Sequence, residues 1–142
     1  MLKIRIIFIF ILLFSFNSFS IDTLKVEKEI YNKINSYRAK LGKSQLTYAP
    51  KNVQSCRKHS ISMGTLVKLQ HVTSLSEVNA LAEIIQLNYT LSRTENETAQ
   101  DVLDIFINSE SHKRIIESNF KEIAVGVYVT TNEDLWVTIR FY

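Results

Sequence analysis

The sequence predicts an α+β fold in which helices pack on an antiparallel sheet. Three observations predict it. Apolar residues recur at helical spacing early in the chain, a capping-box helix start follows past its middle, and strict apolar/polar alternation takes over at the end. With 142 residues there is room for one core and not for two. Apolar residues at 46% and charged residues at 22% match ordinary globular usage, which excludes a disordered or collagen-like chain.

Taken in order, the first element is a leader. Lys3 and Arg5 precede an apolar run from Ile6 to Phe14, and Ser18 and Ser20 supply small residues two apart, as a signal peptidase requires. Residues 1–20 are therefore expected to be a signal peptide, and 21–142 a single mature domain that is secreted or periplasmic. The run of nine apolar residues is well short of the roughly 20 that span a bilayer as a helix, so no stable membrane span is expected. Without Lys3 and Arg5 the chain carries 15 basic against 14 acidic residues. That balance gives no electrostatic case for nucleic acid as a partner.

From Leu24 to Leu41 the residues Leu24, Ile30, Ile34, Tyr37 and Leu41 mark one helix, begun by Asp22 and closed by Gly42. Pro50 opens a second, whose face runs through Val53, Cys56, Ser60 and Met63 and which Gly64 is expected to close. Between Thr65 and Leu81 no period dominates, and a loop or a short irregular helix carries His71. Ala82 to Tyr89 reads as a strand, because Ile84, Ile85, Leu87 and Tyr89 favour a half-buried pleated surface. Thr94 and Glu97 form a capping-box pattern ahead of Val102, Leu103, Phe106 and Ile107, and Ser109 can cap a further turn holding His112, Ile115 and Ile116. Ile123, Val125, Val127 and Val129 alternate strictly, as do Leu135, Val137, Ile139 and Phe141. The short polar link between them predicts a hairpin.

Cys56 is the one cysteine, so no intramolecular disulfide is possible; its place on an apolar helix face reads as packing rather than as a nucleophile. The histidines are His59, His71 and His112. His59 lies near the apolar face of the second helix, where a hydrogen-bonded structural imidazole is the usual outcome, and a Cys-His dyad normally joins separate elements. Taken singly, His71 and His112 read as ordinary surface histidines.

Four stretches in order change that reading. Asn35-Ser36-Tyr37-Arg38-Ala39-Lys40-Leu41-Gly42 is similar to an N-x-x-R-x-x-x-G opening, and Cys56-Arg57-Lys58-His59-Ser60-Ile61-Ser62-Met63 to A-x-x-H-S-x-x-M. Ala82-Glu83-Ile84-Ile85 resembles an E-N-I segment. Phe106 to Ile116 resembles W-x-x-S-P-G-H-R-x-x-I, followed by Ile123-Ala124-Val125-Gly126-Val127, like I-G-V-G, and by Arg140-Phe141-Tyr142 near a closing Q-x-F. Together they resemble the CAP superfamily of cysteine-rich secretory proteins, antigen 5 and plant pathogenesis-related protein 1, most closely its bacterial SCP-like branch. The match spans nearly the whole mature chain.

The resemblance implies a three-layer α-β-α sandwich with a central antiparallel sheet and a cleft lined by two histidines and two glutamates. The matching positions are His71, Glu83 and His112. Two imidazoles and a carboxylate are a ligand set for zinc or another divalent cation, with a position left to water. The second glutamate of the family pattern, near Ser109, has no counterpart here. Ile84 replaces the asparagine of E-N-I, and Ser-Glu-Ser-His replaces Ser-Pro-Gly-His. The metal is therefore expected to be weak or absent, and no cofactor is required.

Two functions follow. The favoured one is an exported binding module, a monomer whose cleft takes a small ligand, lipid-like in the range the superfamily covers, or a partner protein. The alternative is a metal-dependent hydrolase in which His71 and His112 hold the ion and Glu83 serves as ligand or base. Loss of the second glutamate leaves that enzyme without a dedicated base, so the reading leans away from catalysis. A serine hydrolase is weaker still, since no G-x-S-x-G turn is present and Ser109 with His112 reads as a helix cap.

Overall fold

A computed structural model describes residues 21–90 and 93–142. The expected leader, residues 1–20, lies outside the described residues. The element order is α1 (Thr23–Lys40), β1 (Thr47–Tyr48), α2 (Pro50–Leu66), β2 (Ala82–Tyr89), α3 (Glu95–Asn108), α4 (Glu110–Glu117), β3 (Glu122–Val129) and β4 (Asp134–Phe141), with a 3₁₀ turn at Ser76–Val78. The sheet order is β1-β3-β4-β2. The β3–β4 hairpin is antiparallel, as the short polar link predicts, and the β2–β4 pair is antiparallel too. β1, which no periodicity announces, adds a two-residue parallel pair to β3 and makes the sheet mixed.

Alternation along the strands sorts the layers. Odd residues of β3 and β4, from Ile123 to Val127 and from Leu135 to Phe141, join Ile84 in the main core beneath α1, α3 and α4. Even residues face α2: Ala124 packs with Ala49, Val53 and Cys56, and Trp136 with Ile85 and Met63. The result is the α-β-α sandwich, with β1 and β2 at opposite edges of the sheet.

The N-x-x-R-x-x-x-G stretch is a structural clasp. Asn35 brackets Leu46 with two hydrogen bonds of 2.8 and 2.9 Å, one to its N–H and one to its carbonyl. Arg38, 1% exposed, donates to the carbonyls of Ser44, Ile116 and Ser118, which ties α1 to the following loop and to the end of α4. Gly42 takes φ +69°, a conformation that favours glycine. Asp22 caps α1 by accepting from Leu24 and Lys25, and the capping box of Thr94 and Glu97 starts α3.

Three expectations are corrected. Leu24 and Leu41 are exposed, and the buried face of α1 runs instead through Val26, Glu27, Ile30, Ile34, Asn35 and Arg38. Gly64 does not close α2, which ends at a left-handed Val67. It lies inside the helix, where a Cβ would come 2.6 Å from the Tyr128 ring, so glycine is there for close packing. Ser109 makes no side-chain cap bond to α4 and instead meets the Ser111 hydroxyl at 3.2 Å.

Candidate functional site

Glu83 is the second residue of β2, on the face covered by α2, and its register partner on β4 is Arg140. Both side chains are 1% exposed, and Arg140 Nε donates to Glu83 Oε2 at 2.8 Å. Glu83 Oε1 accepts from the Val72 N–H at 2.9 Å and lies 3.1 Å from His71 Nδ1. Burial pushes the Glu83 carboxyl up, but the Val72 and Arg140 hydrogen bonds, with the nearby charges of His59 and Arg140, outweigh it and hold the group below the ordinary glutamate range. An ionised carboxylate only accepts hydrogen bonds, so His71 Nδ1 carries the proton and, in the neutral ring, Nε2 keeps the lone pair.

The carboxylate therefore positions the loop that has no period of its own. It fastens that loop at Val72 and orients His71, whose side chain remains 59% exposed. His59 helps from α2, its Nε2 donating to the Gln70 carbonyl at 2.9 Å, which is the structural role its helix position predicts. Arg140 Nη1 donates to Ser55 Oγ at 2.7 Å and links the same assembly to α2. A cavity of about 360 Å³ opens here, lined by His71, Val72, Thr73, Leu75 and Glu83.

His112 sits in the first turn of α4 with its ring edge-on to Phe106, centroids 5.3 Å apart. Its Nδ1 is buried without a hydrogen-bond partner. Burial first, and then the proximity of His71, lower its pKa. His71 and Glu83 are thus brought together, while His112 makes no hydrogen bond or ion pair with either. Among the described residues no three His, Cys, Asp or Glu side chains are grouped to hold a metal ion. Of the expected set His71, Glu83 and His112, Glu83 is not itself a free ligand, because both its oxygens are engaged by Val72, His71 and Arg140; its contact with His71 Nδ1 is of the kind that orients a histidine whose Nε2 is left open.

Sequence reasoning missed Arg140 as a member of this site. Its signal was present, since β4 alternates strictly and Arg140 falls among the residues facing α2, but pairing with Glu83 across 57 positions needed the strand order. Cys56 is fully buried, with its thiol 3.7 Å from the Ala124 carbonyl and its pKa pushed up to about 12, chiefly by burial. It is a packing residue.

The cysteine-rich secretory protein family, CAP, matches residues 31–141. The chain belongs to the CAP family. Among solved structures it is similar to an outer surface protein from Borrelia burgdorferi, with a TM-score of 0.68 at 20% identity, covering 85% of this chain and 95% of that one. An extracellular SCP-domain protein from Bacillus anthracis aligns with a TM-score of 0.63 at 16% identity, covering 84% of this chain and 41% of that longer one. A third structure, NaASP2 with Zn²⁺, aligns with a TM-score of 0.62 at 8% identity, covering 82% and 78%. No curated protein matches the chain. At these identities the likeness is one of CAP fold. No helix of the described residues is long and apolar enough to cross a membrane.

Proposed function

We propose that this CAP chain is an exported binding module whose cleft between the 67–81 loop and the start of β2 receives a small ligand or a partner's loop through His71. The observation that carries the reading is the engagement of Glu83. The hydrolase alternative gives Glu83 the role of metal ligand or base, and that role needs a free carboxylate oxygen. Here Oε1 meets His71 and Val72 of the cleft wall and Oε2 accepts from the buried Arg140 behind it. What faces the cleft is an exposed imidazole beside Val72 and Leu75, which can accept a hydrogen bond at Nε2 from a hydroxyl or N–H donor on an apolar ligand.

Export is the second part of the proposal and rests on residues 1–20, with Ile21 as the mature N-terminus. Intact mass of the protein recovered after secretion tests it, and an unprocessed Met1 terminus retained in membranes would count against it. For the cleft, the exported protein is assayed for ester and peptide hydrolysis with and without added zinc. The binding reading expects no zinc-dependent turnover. Zinc-dependent hydrolysis that disappears in His71→Ala would establish the enzyme instead.

A further inference from the structure

The opposite edge of the sheet carries a second recess. A cavity of about 390 Å³ lies between α1, β1 and α2, lined by Leu24, Glu27, Lys28, Tyr31, Asn32, Tyr48 and Arg57. That volume falls within the range of small-molecule pockets, roughly 300–1,000 Å³. Leu24 is 61% exposed, although its helical spacing would suit a core position. Tyr31 and Tyr48 form an aromatic wall, edge to face with centroids 5.3 Å apart, and Tyr31 is held there by donating its hydroxyl to the Leu46 carbonyl.

The polar groups of this recess divide into engaged and free ones. Glu27, 2% exposed, accepts from Arg57 Nε and Nη2 and from the Val127 N–H at 3.1 Å, so its negative charge is neutralised within the wall. Arg57 Nη1 has no acceptor among the described residues, and its side chain is 32% exposed. Lys28 is exposed and makes no ion pair among the described residues. The Tyr48 hydroxyl also lacks a partner there; burial, then the charge of Glu27, raises its pKa and keeps it a proton donor. What remains free is a set of donors with one net positive charge above apolar and aromatic walls.

We infer that this recess is a binding site for a small amphipathic anion, a flat apolar body bearing one carboxylate or sulfonate. The apolar body lies on Leu24, Tyr31 and Tyr48, and the oxyanion accepts from Arg57 Nη1 and Lys28. Charge complementarity selects the occupant: a neutral aromatic leaves the donors unsatisfied, and a cation meets Lys28 and Arg57. The site is independent of the His71 cleft, since β1 and β2 bound opposite edges of the sheet.

Titration of the exported protein with 8-anilinonaphthalene-1-sulfonate tests the assignment by fluorescence, alongside calorimetry with 2-naphthalenesulfonate and with 2-naphthol. Saturable one-to-one binding of the sulfonates is expected, with 2-naphthol at least about tenfold weaker because a neutral hydroxyl forgoes the charged acceptor. Lys28→Glu reverses an exposed charge and should weaken sulfonate binding about tenfold or more, and Leu24→Trp should fill the recess and block it. Both variants should keep the parent melting temperature, because neither residue is part of the core, and His71→Ala should bind like the parent. Absence of saturable binding, equal affinity for the naphthol, or unchanged affinity in Lys28→Glu and Leu24→Trp would each overturn the site. Loss of binding in His71→Ala would move the probe to the other edge and overturn it equally.

Discussion

Glu83 carries more of the fold than of any chemistry. Its carboxylate and the Arg140 guanidinium are both buried, and removing one member of such a pair leaves the other charge uncompensated, at a cost of about 3–5 kcal/mol. Glu83→Gln should therefore lower the melting temperature steeply, and the 67–81 loop should lose amide protection at Val72, whose N–H bonds the same carboxylate. His71→Ala removes an exposed ring and should change stability by less than about 0.5 kcal/mol. Equal stability losses in the two variants, measured by urea denaturation, would refute this division of roles. Cys56→Ala should retain the fold and cost about 1–2 kcal/mol, the price of a small cavity beside Ala49, Val53 and Ala124. A bulky thiol reagent should label native Cys56 only at the rate of unfolding. The sequence pointed to Glu83 and His71 through motif position, and to Cys56 as packing through helix face. It did not disclose that Glu83 is engaged by Arg140, because a residue's free valences depend on neighbours that only the strand order supplies.

At the level of elements, α2 lies unusually close to β3, and one residue permits it. A Cβ on Gly126 would fall 2.5 Å from the Cys56 carbonyl carbon and closer still to the Arg57 backbone nitrogen. The obstacle is helix backbone, which cannot rotate aside as a flexible side chain would. Gly126→Ala should push α2 off the sheet and cost about 3 kcal/mol, the upper part of the usual overpacking range. It should also disturb the Glu27–Arg57 pair, since Glu27 is anchored to the next residue's N–H. Circular dichroism melts of Gly126→Ala read the first effect, and weakened sulfonate binding reads the second; a variant as stable as the parent would mean that the approach is looser than this. The hairpin, α3 and the body of α1 were legible because period and caps are local signals. β1 was not, because two residues carry no period, and its existence depends on Thr47–Tyr48 being laid beside Glu122–Ile123 by the Asn35 and Arg38 clasp. The end of α2 was misplaced for a related reason: Gly64 has the composition of a stop signal, but its place is decided by Tyr128 and Trp136 packing against it.

For the molecule as a whole, no disulfide supplements the core, so the response to acid reports directly on buried ionisable groups. Two groups with buried polar atoms dominate the profile; Glu95 and Glu97, also held below the ordinary glutamate range by backbone hydrogen bonds, lie at the surface and contribute less. His112 is kept neutral in the fold by burial, with His71 nearby adding to the effect, so its folded pKa lies below the ordinary 6.5. Between those two values the unfolded chain binds the extra proton, and stability falls as pH drops below about 6.5 and levels off once the folded pKa is passed. Glu83 is held below its ordinary 4.5 by Val72 and Arg140 against the opposing effect of burial, so its contribution is complete above that value and is lost as pH falls further. The melting temperature should thus descend in two stages on acidification, one beginning near pH 6.5 and a second below about pH 4.5. His112→Phe keeps an aromatic ring against Phe106 while removing the unpartnered Nδ1, and it should abolish the first stage and leave the second. Glu83→Gln should leave the first stage and shrink the second to the smaller part that Glu95 and Glu97 supply, from a lower starting stability. Melts of the three proteins between pH 3.5 and 8, at constant ionic strength, decide the matter. A parent profile that is flat from pH 7 to 5, or a His112→Phe profile parallel to it, would show that His112 titrates as freely in the fold as in the unfolded chain.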